Sequence, residues 1–161
     1  LSEELKKMDW KVFVPHFPTN ENLRPEDWWD VFKPFEENLT SDSLLIGHSL
    51  GCAFLLNVLE KHAAHAAFFV APAWGVTGNE FDPIMGPIAN QKCDWEAIKK
   101  HCSRFTVFHS DNDPYLKQER AETLARHLHT EIALIPGAGH FNEEAGYVQF
   151  PLLLEEIKKQ V

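Results

Sequence analysis

Short apolar segments with β-strand character alternate with helical patterns along this chain, and the alternation constrains its fold more than any other feature. Strands are predicted over Trp10–Val14, Ser43–Gly47, Ala66–Ala71, Arg104–His109 and Glu131–Ile135. Helices are predicted over Leu1–Met8, Pro25–Asn38, Leu50–His62, Asp94–His101, Lys117–Leu128 and Ala145–Lys159. Such alternation is typical of a parallel sheet with helices on both faces. We therefore expect a single domain over residues 1–161, a three-layer α/β/α sandwich with a mostly parallel sheet.

The composition argues against several classes of partner. Hydrophobic residues make up 44% of the chain and the formal net charge is −9. An acidic surface repels phosphate backbones, so nucleic acid is not an expected partner. No apolar run approaches the roughly 18 residues that span a bilayer. Cys52, Cys93 and Cys102 are an odd set without metal-ligand spacing, which predicts reduced thiols and a cytoplasmic location. No feature indicates a protein partner.

Gly47-His48-Ser49-Leu50-Gly51 fits the pattern G-x-S-x-G, directly between a predicted strand and a predicted helix. In this context the serine occupies a strained turn, and small residues on either side let the backbone approach closely. The turn exposes the hydroxyl at the edge of the sheet and aims the N–H of Leu50 at a developing oxyanion. Ser49 is therefore predicted to be a nucleophile, with Leu50 as an oxyanion donor.

A serine hydroxyl needs a base to act as a nucleophile at neutral pH. His140 lies in Pro136-Gly137-Ala138-Gly139-His140-Phe141, directly after the last predicted strand. The glycines give this loop freedom to fold back over the sheet. The other histidines lack this setting, so His140 is predicted to be the general base.

The base needs an anion that fixes its tautomer. Two carboxylates, Asp111 and Asp113, compete for this role in the loop after the strand Arg104–His109. Asp113 is further from the strand end and Pro114 stiffens the turn after it, whereas Asp111 suits a side chain that caps the turn. Asp113 is the favoured candidate, and Asp111 remains the alternative.

Trp74 and His48 are candidates for lining a substrate pocket. Trp74 follows the strand after the elbow helix, near the place of an acyl group, although packing explains it equally well. The stretch Trp74–Lys92 is predicted to be irregular, and long loops in compact domains often bind ligands. The remaining histidines lack metal-ligand spacing with carboxylates, so no metal or organic cofactor is expected.

The motifs GHSLG, HSDNDPYL and PGAGHF together resemble the RBBP9/YdeN family of small serine hydrolases. The resemblance runs from about Trp10 to the C-terminus and includes VPHFPTNENLRPEDWWDVF. It implies an α/β-hydrolase fold and a small ester or amide substrate. In the family pattern an apolar residue follows the acid by three positions; Leu116 fits Asp113 in this way.

One departure from the family pattern sets up a second hypothesis. Family members begin with a further strand, in the middle of the sheet, whose loop supplies the second oxyanion N–H. Nothing in this chain matches it, so we expect the domain to lack its N-terminal strand. The first hypothesis is a serine hydrolase that forms an acyl-enzyme. The alternative is a catalytically weak or inactive hydrolase-fold protein that acts as a protein-interaction module.

Overall fold

The computed structural model describes residues 1–20, 23–75, 78 and 80–161. Its four strands, all parallel, form one sheet in the order of the chain. They are β1 (Leu44–His48), β2 (Ala66–Val70), β3 (Phe105–Ser110) and β4 (Ile132–Ile135). All five residues of β2 are buried, as expected for a parallel strand covered on both faces.

Seven α-helices connect and cover the strands in the described part of the chain. They are α1 (Ser2–Lys7), α2 (Pro25–Phe32), α3 (Gly51–Leu59), α4 (Asp82–Ala89), α5 (Trp95–His101), α6 (Gln118–Leu128) and α7 (Pro151–Lys158). Short 3₁₀ helices cover Lys33–Asn38 and Glu143–Ala145. The residues at the N-termini of three helices explain why the helices begin there. Pro25 and Pro151 occupy the first helical positions of α2 and α7. The Asp94 carboxylate caps α5 by accepting hydrogen bonds from the N–H groups of Glu96 and Ala97.

Alternate side chains of the sheet enter two different cores, which makes the predicted three layers. Phe69 and Val107 point to the face covered by α3, α5 and α6. Phe68 and Phe108 point to the opposite face, which α1 and α7 cover. The α/β/α architecture is thus confirmed.

Prolines decide where helices begin or end in three of the predicted segments. The predicted helix Pro25–Asn38 changes at Phe32 into a 3₁₀ turn that contains Pro34, because proline cannot donate the next helical hydrogen bond. In the predicted helix Ala145–Lys159, Pro151 was expected to break the helix or to start its second half, and α7 does begin at Pro151. The stretch Trp74–Lys92 was expected to be irregular but contains α4, whose second residue is Pro83. Val76, Thr77 and Asn79 of that stretch lie outside the described residues.

The predicted strand Trp10–Val14 is wrong. Among the described residues, the Trp10 N–H is its only backbone group that bonds another backbone group, the carbonyl of Leu5, and β1 is the edge strand of the described sheet on this side. A strand forms only against a neighbour. The apolar residues of the segment instead pack partly on the core, as Trp10 and Val12 do, while Val14 is 77% exposed.

An open edge of β1 faces this segment across an apolar groove of about 690 Å³. The Ser43 carbonyl and the Ser49 N–H both bond residues next to or in β2. Since alternate residues of a parallel strand bond to the same neighbour, the backbone groups of Leu44, Ile46 and His48 point into the groove. The nucleophile turn therefore follows a strand that is paired on one side only.

Candidate active site

Ser49 occupies a left-handed turn between β1 and α3, with φ of 51°. Its N–H donates to the Val70 carbonyl at 2.9 Å, and its carbonyl accepts from the N–H groups of Cys52 and Ala73. This backbone conformation is unfavourable for a side chain with a Cβ and persists only where the surroundings hold it. The turn therefore has the strained strand-to-helix geometry of a nucleophile elbow.

The two glycines of the elbow differ in whether a Cβ atom would fit at their position. A Cβ on Gly47 would lie 2.8 Å from the Gly51 carbonyl oxygen and 2.9 Å from the Cys52 nitrogen, whereas a Cβ on Gly51 would meet nothing within 4 Å. The expectation that both positions must be small thus holds for Gly47 but not for Gly51. Glycine at 47 allows the first turn of α3 to pack against the end of β1.

We expect Gly47→Ala to destabilise the fold by about 1–3 kcal/mol, since its methyl group overpacks a rigid backbone contact. Gly51→Ala is the matched control and should leave stability unchanged or slightly improve it, because alanine favours helix. Urea denaturation of the two variants measures the difference. Equal stabilities would contradict the packing role of Gly47.

His140 and Asp113 form a direct hydrogen bond: the imidazole Nδ1 lies 2.8 Å from Oδ2 of the carboxylate. The side chain of Asp113 is fully buried and that of His140 is 10% exposed. The other carboxylate oxygen of Asp113 accepts from the N–H groups of Tyr115 and Leu116. Burial alone would raise the pKa of Asp113, but the bonds from His140 and these N–H groups lower it below its ordinary value. The ionised carboxylate accepts, so Nδ1 carries the proton and Nε2 is free to act as a base.

Asp111, the alternative acid, has a different partner. Its Oδ1 accepts from the N–H of Gly137 at 2.8 Å. It joins the acid loop (residues 110–113) to the base loop (residues 137–140). Gly137 and Gly139 adopt positive φ angles of 69° and 54°, which explains the glycines before His140.

His48 and Tyr115 contact His140 in ways that the sequence pattern did not reveal. Nε2 of His48 lies 2.8 Å from the carbonyl oxygen of His140; since a carbonyl only accepts, Nε2 carries the proton. Burial lowers the pKa of His48 below its ordinary value. The ring of Tyr115 meets that of His140 edge-on at 5.0 Å. His48 thus links the elbow to the base loop.

The hydroxyl of Ser49 makes no hydrogen bond within the described residues, His140 included. In ligand-free enzymes such bonds are commonly long and shorten when substrate binds. The link through His48 nevertheless holds the base loop against the elbow.

Trp74, a candidate for the pocket, directs its indole towards α6. Its Nε1 donates to the Arg120 carbonyl at 3.3 Å, and its ring meets Trp95 and His127 edge-on. These contacts are those of a packed side chain. Pocket lining by Trp74 stays a prediction.

Two features define an α/β-hydrolase fold: a parallel sheet with helices on both faces, and a serine in the left-handed backbone conformation between a strand and a helix. The Bacillus subtilis ydeN gene product has a similar crystal structure, with a TM-score of 0.88 and 20% sequence identity over 99% of this chain and 87% of that chain. The fold class predicted from the sequence is confirmed.

The chain belongs to the serine hydrolase family, whose model matches residues 6–159. It is 25% identical to serine hydrolase RBBP9 of Rattus norvegicus over 84% of this chain and 70% of that protein. It is 21% identical to the putative hydrolase YdeN of Bacillus subtilis over 88% and 76% of the two chains. The family resemblance carried by the three motifs is confirmed, and the protein is a hydrolase of this family.

The described residues also bear on membrane spans and metal sites. Outside residues 21, 22, 76, 77 and 79, which the structure does not describe, none of the helices has the length and apolar content to cross a bilayer. In the same part of the chain, no three His, Cys, Asp or Glu side chains gather in a way that could hold a metal ion.

Proposed function

We propose that this hydrolase cleaves a small ester or amide through Ser49, His140 and Asp113, with a covalent acyl-enzyme as intermediate. The observation that carries the proposal is the 2.8 Å bond between His140 and a fully buried, ionised Asp113. A buried carboxylate that holds one imidazole nitrogen leaves the other as a base of fixed tautomer. Membership of the serine hydrolase family supports the same class of reaction.

The proposed reaction has two stages. Ser49 Oγ attacks the substrate carbonyl carbon, and Nε2 of His140 takes the hydroxyl proton. Asp113 stabilises the imidazolium that forms. His140 then gives the proton to the leaving alcohol or amine. In the second stage His140 deprotonates a water molecule, which attacks the acyl group and frees Ser49 and a carboxylic acid.

Leu50 is the proposed oxyanion donor. Its N–H stands at the start of α3, and within the described residues it donates to no protein acceptor. The positive end of the helix favours the negative oxygen of a tetrahedral intermediate there. His48 and Trp74 remain candidates for contacts with the substrate.

A second candidate function is an interaction module of low catalytic power on the same fold. The open edge of β1 beside the elbow and the unbonded Ser49 hydroxyl favour it. An oxyanion hole of this fold ordinarily has two N–H donors. With Leu50 as the sole donor, transition-state stabilisation would fall by about 3 kcal/mol. This candidate predicts a folded protein that reacts very slowly.

A fluorophosphonate probe tests the proposal, because it phosphonylates only serines activated by a base. We expect wild-type protein to gain one probe adduct, located at Ser49 by peptide mass spectrometry. Ser49→Ala should not label, whereas Ser41→Ala, a change at an exposed serine nearby, should label like wild type. Labelling at another residue would contradict the proposal. Folded wild-type protein that never labels would instead favour the interaction module.

A further inference from the structure

The acid loop and the base loop are joined by more than the bond between Asp113 and His140. The Ala138 N–H donates to Ser110 Oγ at 2.9 Å, and the Gly139 N–H donates to Asn112 Oδ1 at 2.7 Å. With the Asp111–Gly137 bond, three successive N–H groups before His140 are each accepted by a side chain of the acid loop. The base loop is therefore held along its backbone as well as through the imidazole.

Ser110 and Asn112 fix each other. Ser110 is the last residue of β3 and is 1% exposed, so its position follows that of the sheet. Its hydroxyl donates to Asn112 Oδ1 at 2.7 Å while it accepts from Ala138. This bond turns the amide oxygen of Asn112, rather than its NH₂ group, towards the Gly139 N–H. The acid loop itself therefore orients the side chain of Asn112 towards the base loop.

The contact with Gly139 lies one peptide unit from His140. Gly139 has a φ of 54°, and a Cβ there would lie 2.8 Å from the Cβ of Ala145. The peptide at Gly139 is therefore confined between Asn112 and Ala145. On the far side of the residue, His48 donates to the His140 carbonyl. The backbone before and after His140 is thus held by hydrogen bonds with side chains, and among these His48 also packs its ring against the imidazole at 4.9 Å.

We propose that Ser110 and Asn112 are positioning residues that set the register of the base loop, so that His140 meets Asp113. The proposal rests on the catalytic role of His140 given above. A displacement of about 1 Å in a catalytic group can lower a rate on the order of 100-fold. Loss of the Asn112 acceptor should therefore act on catalysis through the geometry of the imidazole, without loss of the fold.

Asn112 is the better residue for the test because it is exposed, whereas Ser110 is buried and its variants are prone to misfold. Asn112→Ala removes the acceptor, and Asn112→Asp keeps an acceptor oxygen for both Ser110 and Gly139. Asn38→Ala is the matched control, since it removes a half-buried asparagine whose Oδ1 accepts a single bond, from Lys11 at 2.6 Å. Each variant is examined by proton NMR of the His140 Nδ1–H, by kcat and KM, and by the pH profile.

For Asn112→Ala we expect the far-downfield Nδ1–H resonance of His140 to weaken or vanish, and kcat to fall about 10- to 100-fold with little change in KM. Asn112→Asp should restore the resonance and most of kcat. Its added negative charge should move the acid limb of the pH profile to higher pH. Asn38→Ala should match wild type in each measurement.

Two results would overturn the proposal: an unchanged Nδ1–H resonance in Asn112→Ala, or a loss of kcat that Asn112→Asp fails to restore. The resonance is measured without substrate. If wild-type protein neither labels nor turns over, the hydrolase mechanism fails, while the comparison of resonances still decides whether Asn112 positions His140.

Discussion

His140→Gln is expected to lower kcat/KM on the order of 10⁶-fold. This loss is as large as that expected on removal of the Ser49 hydroxyl, because the proposed base and nucleophile act as a unit. Glutamine is similar in size and can still donate a hydrogen bond towards Asp113, but it cannot accept and return a proton. The measurement is hydrolysis of a chromogenic short-chain ester, with fluorophosphonate labelling as a second readout. Both should fall together.

The matched control is His16→Gln, a change at an exposed histidine far from the elbow in sequence. It should retain wild-type rates. Thermal unfolding of both variants separates catalysis from stability, since His140 lies in a packed loop. If His140→Gln stays folded and hydrolyses the ester within a few-fold of wild type, the imidazole is not the base.

Asp113→Asn is expected to lower kcat on the order of 10⁴-fold. The amide places a weaker, uncharged partner against Nδ1 and no longer stabilises the imidazolium. Asp111→Asn is the matched comparison in the same loop, since its Oδ1 can still accept from Gly137. It should stay within a few-fold of wild type. Equal effects at the two positions would remove the basis for assigning the acid to Asp113.

The pH dependence of stability gives an independent check on Asp113. Its pKa is lowered in the folded state, so ionisation stabilises the fold above the unfolded-state pKa, about 3.9 for aspartate. This stabilisation is lost as the pH falls through the folded-state pKa. The stability difference between wild type and Asp113→Asn should therefore be constant near neutral pH and shrink in acid. A difference that grows on acidification would contradict the lowered pKa.

The sequence predicted the site best where the chemistry is local. The elbow needs only a glycine, a serine and the strand and helix around them, so Gly47 and Ser49 could be recognised directly. Asp111 and Asp113 could be ranked but not separated, because both precede the same turn and only the folded base loop distinguishes their partners. The roles of His48, Ser110 and Asn112 depend on backbone groups 27 to 92 positions away, which no local pattern reveals.

The strands and helices, too, could be predicted only where they depend on the local sequence. β2 and β3 were predicted well because their apolar runs are buried between two layers of helices. Trp10–Val14 has an equally apolar run, but a strand exists only when a neighbour accepts its hydrogen bonds, and composition does not report the neighbour. Pro34 ends α2 earlier than predicted because a proline breaks a helix that has already begun, whereas Pro151 starts α7, which is one of the two effects expected of it.

The position of the nucleophile at the margin of the sheet affects how this molecule should lose activity. Within the described residues, the amides of Leu44, Ile46 and His48 have no strand beyond them, so we expect them to exchange with deuterium faster than those of β2 and β3. Mild denaturant should loosen this margin while the centre of the sheet stays intact. Loss of activity would then precede unfolding, and the turn at Ser49, the proposed nucleophile, would be the first part of the domain to lose its structure.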